Sequence, residues 1–148
     1  MFRLIVAALF CSLATSAMAA EGLVVKPSNY SVQETMDRLE AALTDKGLTI
    51  FGRVDHQAGA EKAGLELAPT QVLIFGNPKL GTPLMAGAPT TAIDLPQKAL
   101  AYEDADGKVF LAYNDIGYLQ ARHGIEGPEK VIETIRGALG NFTDAATK

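Results

Sequence analysis

The chain has 148 residues, 48% of them apolar, with 13 basic residues against 17 acidic ones and a formal net charge of −4. That is enough chain and enough apolar surface for one domain with its own core. An acidic balance with no basic cluster argues against nucleic acid, whose phosphates demand concentrated Lys and Arg.

Residues 1–20 read MFRLIVAALFCSLATSAMAA: Arg3, an apolar run from Leu4 to Leu13, then small residues ending in Ala17-Met18-Ala19. This pattern predicts a Sec-type signal peptide over 1–19, cleaved after Ala19, and hence export to the periplasm. The run is shorter than the ~20 apolar residues that span a bilayer, so no membrane anchor is expected after cleavage. Phe10 stands before Cys11 where a lipoprotein signal needs a small residue. Cleavage would remove Cys11, the one cysteine. The mature chain would then have no disulfide, thiolate metal site or cysteine nucleophile. It would retain 12 basic residues against 17 acidic ones, in one domain over 20–142 and a polar tail over 143–148.

GLVVK (22–26), closed by Pro27, reads as a first strand. Ser31-Val32-Gln33-Glu34 is a capping box that starts a helix at Ser31. Val32, Met36, Leu39 and Leu43 form its apolar stripe, and Gly47 ends it with Leu48 folding back on Leu43. LTIFGRVDH (48–56) alternates as a strand, placing Leu48, Ile50, Val54 and His56 on one face and Thr49, Phe51, Arg53 and Asp55 on the other. AGAEKAGLEL predicts a short helix stopped at Gly64. TQVLIF (70–75) is continuously apolar, as befits a central strand covered on both faces.

FGNPKLGTPLM (75–85) follows. Gly76 and Gly81 have the spacing of a phosphate loop, but Thr82 and Pro83 occupy the positions where a lysine and a hydroxyl residue are required. Thr82 before Pro83 reads as a helix cap, and its free N–H groups, with Lys79 beside them, would hold an anion; the competing reading is a turn at Asn77-Pro78 with a purely structural cap. Then KALAYEDADGKVFLAYN (98–114) predicts a hairpin turning at Asp106-Gly107. That centre pairs Tyr102 with Leu111 and Leu100 with Tyr113. Leu100, Tyr102, Val109, Leu111 and Tyr113 then share one face. Ala101, Phe110 and Ala112, beside Glu103, form a second apolar face suited to a subunit contact. Gly127-Pro128-Glu129 opens a last helix, with Val131, Ile132, Ile135 and Leu139 buried and Gly140 as its end.

The elements together predict an α+β two-layer sandwich in the order β-α-β-β-β-β-α, with a mixed or antiparallel sheet and two main helices. Ser28 and Ser31 are the two serines of the mature chain, both at a helix start and neither in a G-x-S-x-G elbow, which disfavours a serine hydrolase. Two histidines and scattered acids give no metal-ligand spacing, so no metal and no cofactor is expected. His56 suits acid–base work, with Asp55 beside it but facing the other way. His123, before Gly124, reads as a histidine at a helix C-terminus.

VDHQAGAEKAGLEL, PTQVLIFGNPKLGTPLM, IDLPQKALAYEDADGKVFLAYND and RHG together resemble the bacterial and archaeal family called Domain of Unknown Function 302, over roughly residues 23 to 140. The family pattern falls on Asp55 and His56, Phe75 to Pro78, Gly81 and Thr82, Leu95 and Pro96, and the Asp106-Gly107 turn. The resemblance implies a compact α+β domain that pairs into a homodimer, and it brings no activity with it. The leading expectation is a non-catalytic periplasmic domain that binds a small anionic or amphipathic ligand through Asn77, Lys79, Gly81 and Thr82, with His56 in the same pocket. Two alternatives stand beside it: an acid–base enzyme using His56 with an anion held by the Asn77 to Thr82 loop, and a 75–85 loop that only serves a dimer contact.

Overall fold

The computed structural model describes residues 20–148, so the expected signal peptide lies outside the described residues. Five strands, β1 (Leu23–Pro27), β2 (Thr49–Asp55), β3 (Thr70–Gly76), β4 (Gln97–Glu103) and β5 (Val109–Asn114), form one sheet in the order β1-β5-β4-β3-β2. Every neighbouring pair is antiparallel. Helices α1 (Val32–Asp45) and α5 (Glu129–Thr147) pack together over the sheet. Three shorter helices, α2 (His56–Lys62), α3 (Pro78–Gly87) and α4 (Ile116–His123), and a 3₁₀ turn at Pro89–Ile93, complete the α+β sandwich.

The first helix follows its sequence signals closely. Ser31 caps α1 by accepting from the Glu34 N–H at 3.2 Å. Gly47 takes φ +72°, and the Leu48 N–H returns to the Leu43 carbonyl at 3.1 Å, the backbone arrangement of a glycine-terminated helix. Met36, Leu39 and Leu43 are fully buried against the sheet, each contributing roughly 1.5–3 kcal/mol by burial. Opposite them β4 presents Ala99 and Ala101, which are also buried. Small side chains there let α1 lie close to the sheet.

Several expectations change. β3 is second from the edge, β4 is central, and β3 alternates: Gln71, Leu73 and Phe75 are buried while Val72 and Ile74 are half-buried. It is covered on one face, because the helix layer formed by α1 and α5 lies on that side. The β2 alternation breaks at a bulge between Ile50 and Gly52, where one extra residue reverses the face of everything after it. Arg53 therefore sits on the Ile50 side and reaches α1, bonding the Gln33 carbonyl and the Asp37 carboxylate. Val54 and His56, expected on the apolar face, are exposed, and His56 is the first residue of α2.

The hairpin is shifted by one residue. Tyr102 pairs with Phe110 and Leu100 with Ala112, because the loop carries three residues and only Gly107 has positive φ. The Asp104 side chain holds that loop by accepting from the Asp106 and Lys108 N–H groups, both at 2.9 Å. Ala99, Ala101, Leu111 and Tyr113 consequently face the core. Leu100, Tyr102 and Phe110 lie on the other face, where Tyr102 and Phe110 stack at 5.6 Å between ring centroids.

The last helix runs past Gly140 to Thr147. The segment read as a polar tail is thus packed helix. Thr143 and Thr147 are buried because their hydroxyls donate back to the Leu139 and Thr143 carbonyls at 2.7 and 2.8 Å. Asp144 pairs with Lys26 of β1 at 2.6 Å.

Candidate functional site: an apolar cavity beside α3

β3 delivers Phe75 and Gly76 to the end of the sheet, and Asn77 turns the chain directly into α3. The Asn77 Oδ1 accepts from the Lys79 N–H at 3.0 Å, while the Leu80 and Gly81 N–H groups go to the Asn77 carbonyl at 3.0 and 2.9 Å. Pro78, at the first helical position, has no N–H to offer. Asn77, not Thr82, is therefore the cap, and Thr82-Pro83 lies inside the helix. An Asn-Pro pair starts the helix five residues earlier because the amide side chain bonds two residues on and proline fixes φ. The same bonds consume the first-turn donors, so the anion-holding loop expected from Thr82 is not formed.

α3, the Phe51 bulge, α5 and the segment Leu95-Pro96-Gln97 line an open-mouthed cavity of about 210 Å³. Its wall is almost wholly apolar, with Phe51, Phe75, Leu84, Met85, Leu95 and Phe142 prominent. Three side chains bring polar atoms to it: Asn77, Thr82 and Gln97. Gln97 is 8% exposed, and its amide Nε2 has no hydrogen-bond partner among the described residues. Native interiors seldom leave such a group unpaired.

The expected site residues divide between two ends of the molecule. Asn77, Gly81 and Thr82 line the cavity, whereas Lys79 is exposed and outside its wall. Thr49 pairs with Gly76, but Asp55 pairs with Gln71; His56 lies beyond the far end of β2, roughly 20 Å of strand away. Asp55 is occupied there, capping α2 through the Ala58 N–H at 2.9 Å and accepting from Gln71 at 3.1 Å. His56 thus joins neither Asn77 nor the cavity, and the convergence of His56 with the Asn77 loop that the acid–base alternative requires is not formed. No three His, Cys, Asp or Glu side chains among the described residues converge as metal ligands.

A polar cluster escaped the sequence reading. His123, at the C-terminus of α4 as expected, has Nε2 2.7 Å from Asp94 Oδ2 and Nδ1 3.1 Å from Thr90 Oγ1. Arg122 brings its guanidinium 3.4 Å from the same carboxylate oxygen. The hydroxyl, imidazole and carboxylate are the groups of a hydrolase triad, but with the two imidazole nitrogens exchanged: the carboxylate is on Nε2 and the hydroxyl on Nδ1. The imidazole is only 5% exposed, however, and the cavity wall contains none of the three. The signal for this cluster was Asp94, just before the Leu95-Pro96 pair.

A sequence profile of the family described as "Domain of unknown function DUF302" matches residues 24–142. The chain belongs to that DUF302 family. A crystal structure of an uncharacterised conserved DUF302 protein from Bacillus stearothermophilus superposes with a TM-score of 0.74, covering 86% of this chain and 99% of that one at 18% identity. At that identity the likeness establishes the fold. Two Brucella proteins named "Fluoride-specific ion channel FluC 1", from Brucella suis and Brucella abortus, are each 50% identical over 104 residues, or 70% of this chain. The match occupies only 41% and 38% of their respective lengths, so this chain spans about two-fifths of those relatives.

Proposed function

We propose that this DUF302 protein is an exported, non-catalytic domain that binds a small, largely apolar ligand in the cavity beside α3. The observation that carries the reading is the wall itself: a preformed apolar concavity at the end of β3, with few polar groups converging on it. His56 and Asp55 lie elsewhere, and the donors of the 77–81 turn are bonded internally, which favours binding over acid–base chemistry and an uncharged ligand over an anion. The Brucella name fits a domain that accompanies a channel in a longer protein. No helix among the described residues here is long and apolar enough to cross a membrane.

A homodimer belongs to the same reading. The sheet face bearing Leu100, Tyr102 and Phe110, with Val72 and Ile74 of β3, supplies a flat apolar surface for a second copy.

Native mass spectrometry of protein recovered from the periplasm, beside an Ala138→Leu variant whose extra methyl groups enter the cavity, tests both parts. A retained small molecule in the parent and none in the variant supports binding. Empty parent protein that no apolar probe stabilises overturns it. A monomer at every concentration removes the dimer.

A further inference from the structure

We propose that the cavity selects a compact, single-ring aromatic molecule that carries a carbonyl group, and that Gln97 is the residue that recognises the carbonyl. The inference rests on the binding reading above and sharpens it to a chemical class.

Size comes first. A dry cavity of about 150 Å³ holds benzene, so about 210 Å³ accommodates one ring with a short substituent. Composition points the same way. Phe51, Phe75, Phe142 and Met85 all contribute to the wall, and rings and thioethers pack favourably against an aromatic guest.

Charge narrows the class further. Among the described residues the wall contains no cationic side chain, and the first-turn N–H groups of α3 are bonded to Asn77 or, at Pro78, absent. A carboxylate there would be a buried unpaired charge, which is heavily penalised. A neutral acceptor carries no such penalty.

Gln97 gives the acceptor its partner. Gln97 lines the wall, its amide nitrogen is closed to water and lacks a hydrogen bond among the described residues, and leaving a buried donor unmade costs its full desolvation. The terminal amide torsion is broad and soft. Rotation of that amide turns the N–H toward a guest carbonyl without moving the backbone of β4. The group that is a liability in the empty protein becomes a selective contact in the complex.

The experiment titrates the full chain, by calorimetry, with acetophenone and with its hydrocarbon isostere α-methylstyrene. The same pair is then titrated into Gln97→Leu, or into Gln97→Met if the leucine variant fails to fold. The parent is expected to bind both, with acetophenone about fivefold to tenfold tighter, the share of one net hydrogen bond. The variant is expected to lose that preference while keeping α-methylstyrene. Equal affinities in the parent, or a preference that survives the substitution, overturn the role of Gln97 and leave the cavity as an apolar binder. Absence of binding by either probe overturns the binding reading and this inference with it.

Discussion

The imidazole of His123 stands between Asp94 Oδ2, at 2.7 Å, and Thr90 Oγ1, at 3.1 Å, and so ties the end of α4 to the 3₁₀ turn that precedes β4. The next two residues after Asp94 are Leu95 and Pro96, which form part of the cavity wall. The cluster therefore acts as a clasp for that wall. His123→Ala should lower stability by about 1–3 kcal/mol, from the two lost hydrogen bonds and the space left by the buried imidazole. Urea unfolding measures it, and a change within ±0.3 kcal/mol, about the limit to which such effects resolve, would remove the clasp.

Asn77 and Thr82 offer a direct comparison. Asn77 accepts the Lys79 N–H and starts α3, whereas Thr82 lies within the helix and is exposed. Asn77→Ala should cost about 0.5–2 kcal/mol through loss of the cap. Thr82→Ala should be neutral or slightly stabilising, since alanine is the better interior helix former. Thermal unfolding of the two variants side by side distinguishes them; the reverse ranking would restore Thr82 as the cap.

Acid should loosen the contact between β1 and α5. The Lys26 ammonium, hydrogen-bonded to Asp144 and seconded by Lys148, holds that carboxyl down to about 2. A carboxyl depressed in the folded state contributes stability that is fully present above its unfolded value of about 3.9 and is lost as pH falls toward about 2. Asp144→Asn should therefore unfold with a shallower pH dependence than the parent across that window. Identical acid limbs in denaturant melts at successive pH values would show the pair to be without effect.

The start of β1 depends on a close approach. Gly22 has φ +78°, and a Cβ there would lie 2.1 Å from the Tyr118 ring, nearer than any packed contact. Its carbonyl also accepts the Asp115 N–H at 2.8 Å. Gly22→Ala should destabilise by about 1–3 kcal/mol, from positive-φ strain and displacement of the ring. Hydrogen exchange at β1 is the readout, and unchanged protection of the Val24 and Lys26 amides, which face β5, would count against it.

Local chemistry was legible in the sequence wherever one short-range rule acted without competition. The Ser31 cap, the Gly47 stop and the apolar stripe of α1 all read correctly because their partners lie within one or two turns. The errors came where two short-range signals competed or where long-range packing decided. Thr82-Pro83 and Asn77-Pro78 are both plausible helix starts, and the earlier one prevails because it satisfies three consecutive positions. The hairpin register turned on whether Asp106 shares the positive φ of Gly107, and Asp104 settles it by holding a three-residue loop. The β2 bulge at Phe51 has no alternation signal of its own, yet it decides that Arg53 meets α1 and that His56 is exposed. Gly140 read as a stop, but burial of Thr143 and Ala146 carries α5 through it. Residues of the FGNPKLGTPLM segment form one side of the candidate cavity. Nothing in the sequence assigned Leu95, Pro96 and Gln97 to the same wall as α3, because the two segments meet only in three dimensions.

The central claim is that the space beside α3 is a binding cavity. Methyl carbon NMR during titration with α-methylstyrene tests it most directly. Saturable shifts concentrated at Leu48, Leu80, Leu84, Met85 and Leu95, with Leu119 and Ile116 in the core beyond the wall unmoved, are the predicted result, and Ala138→Leu should abolish them. Shifts that do not saturate, or that spread evenly over the core methyl groups, would contradict the account.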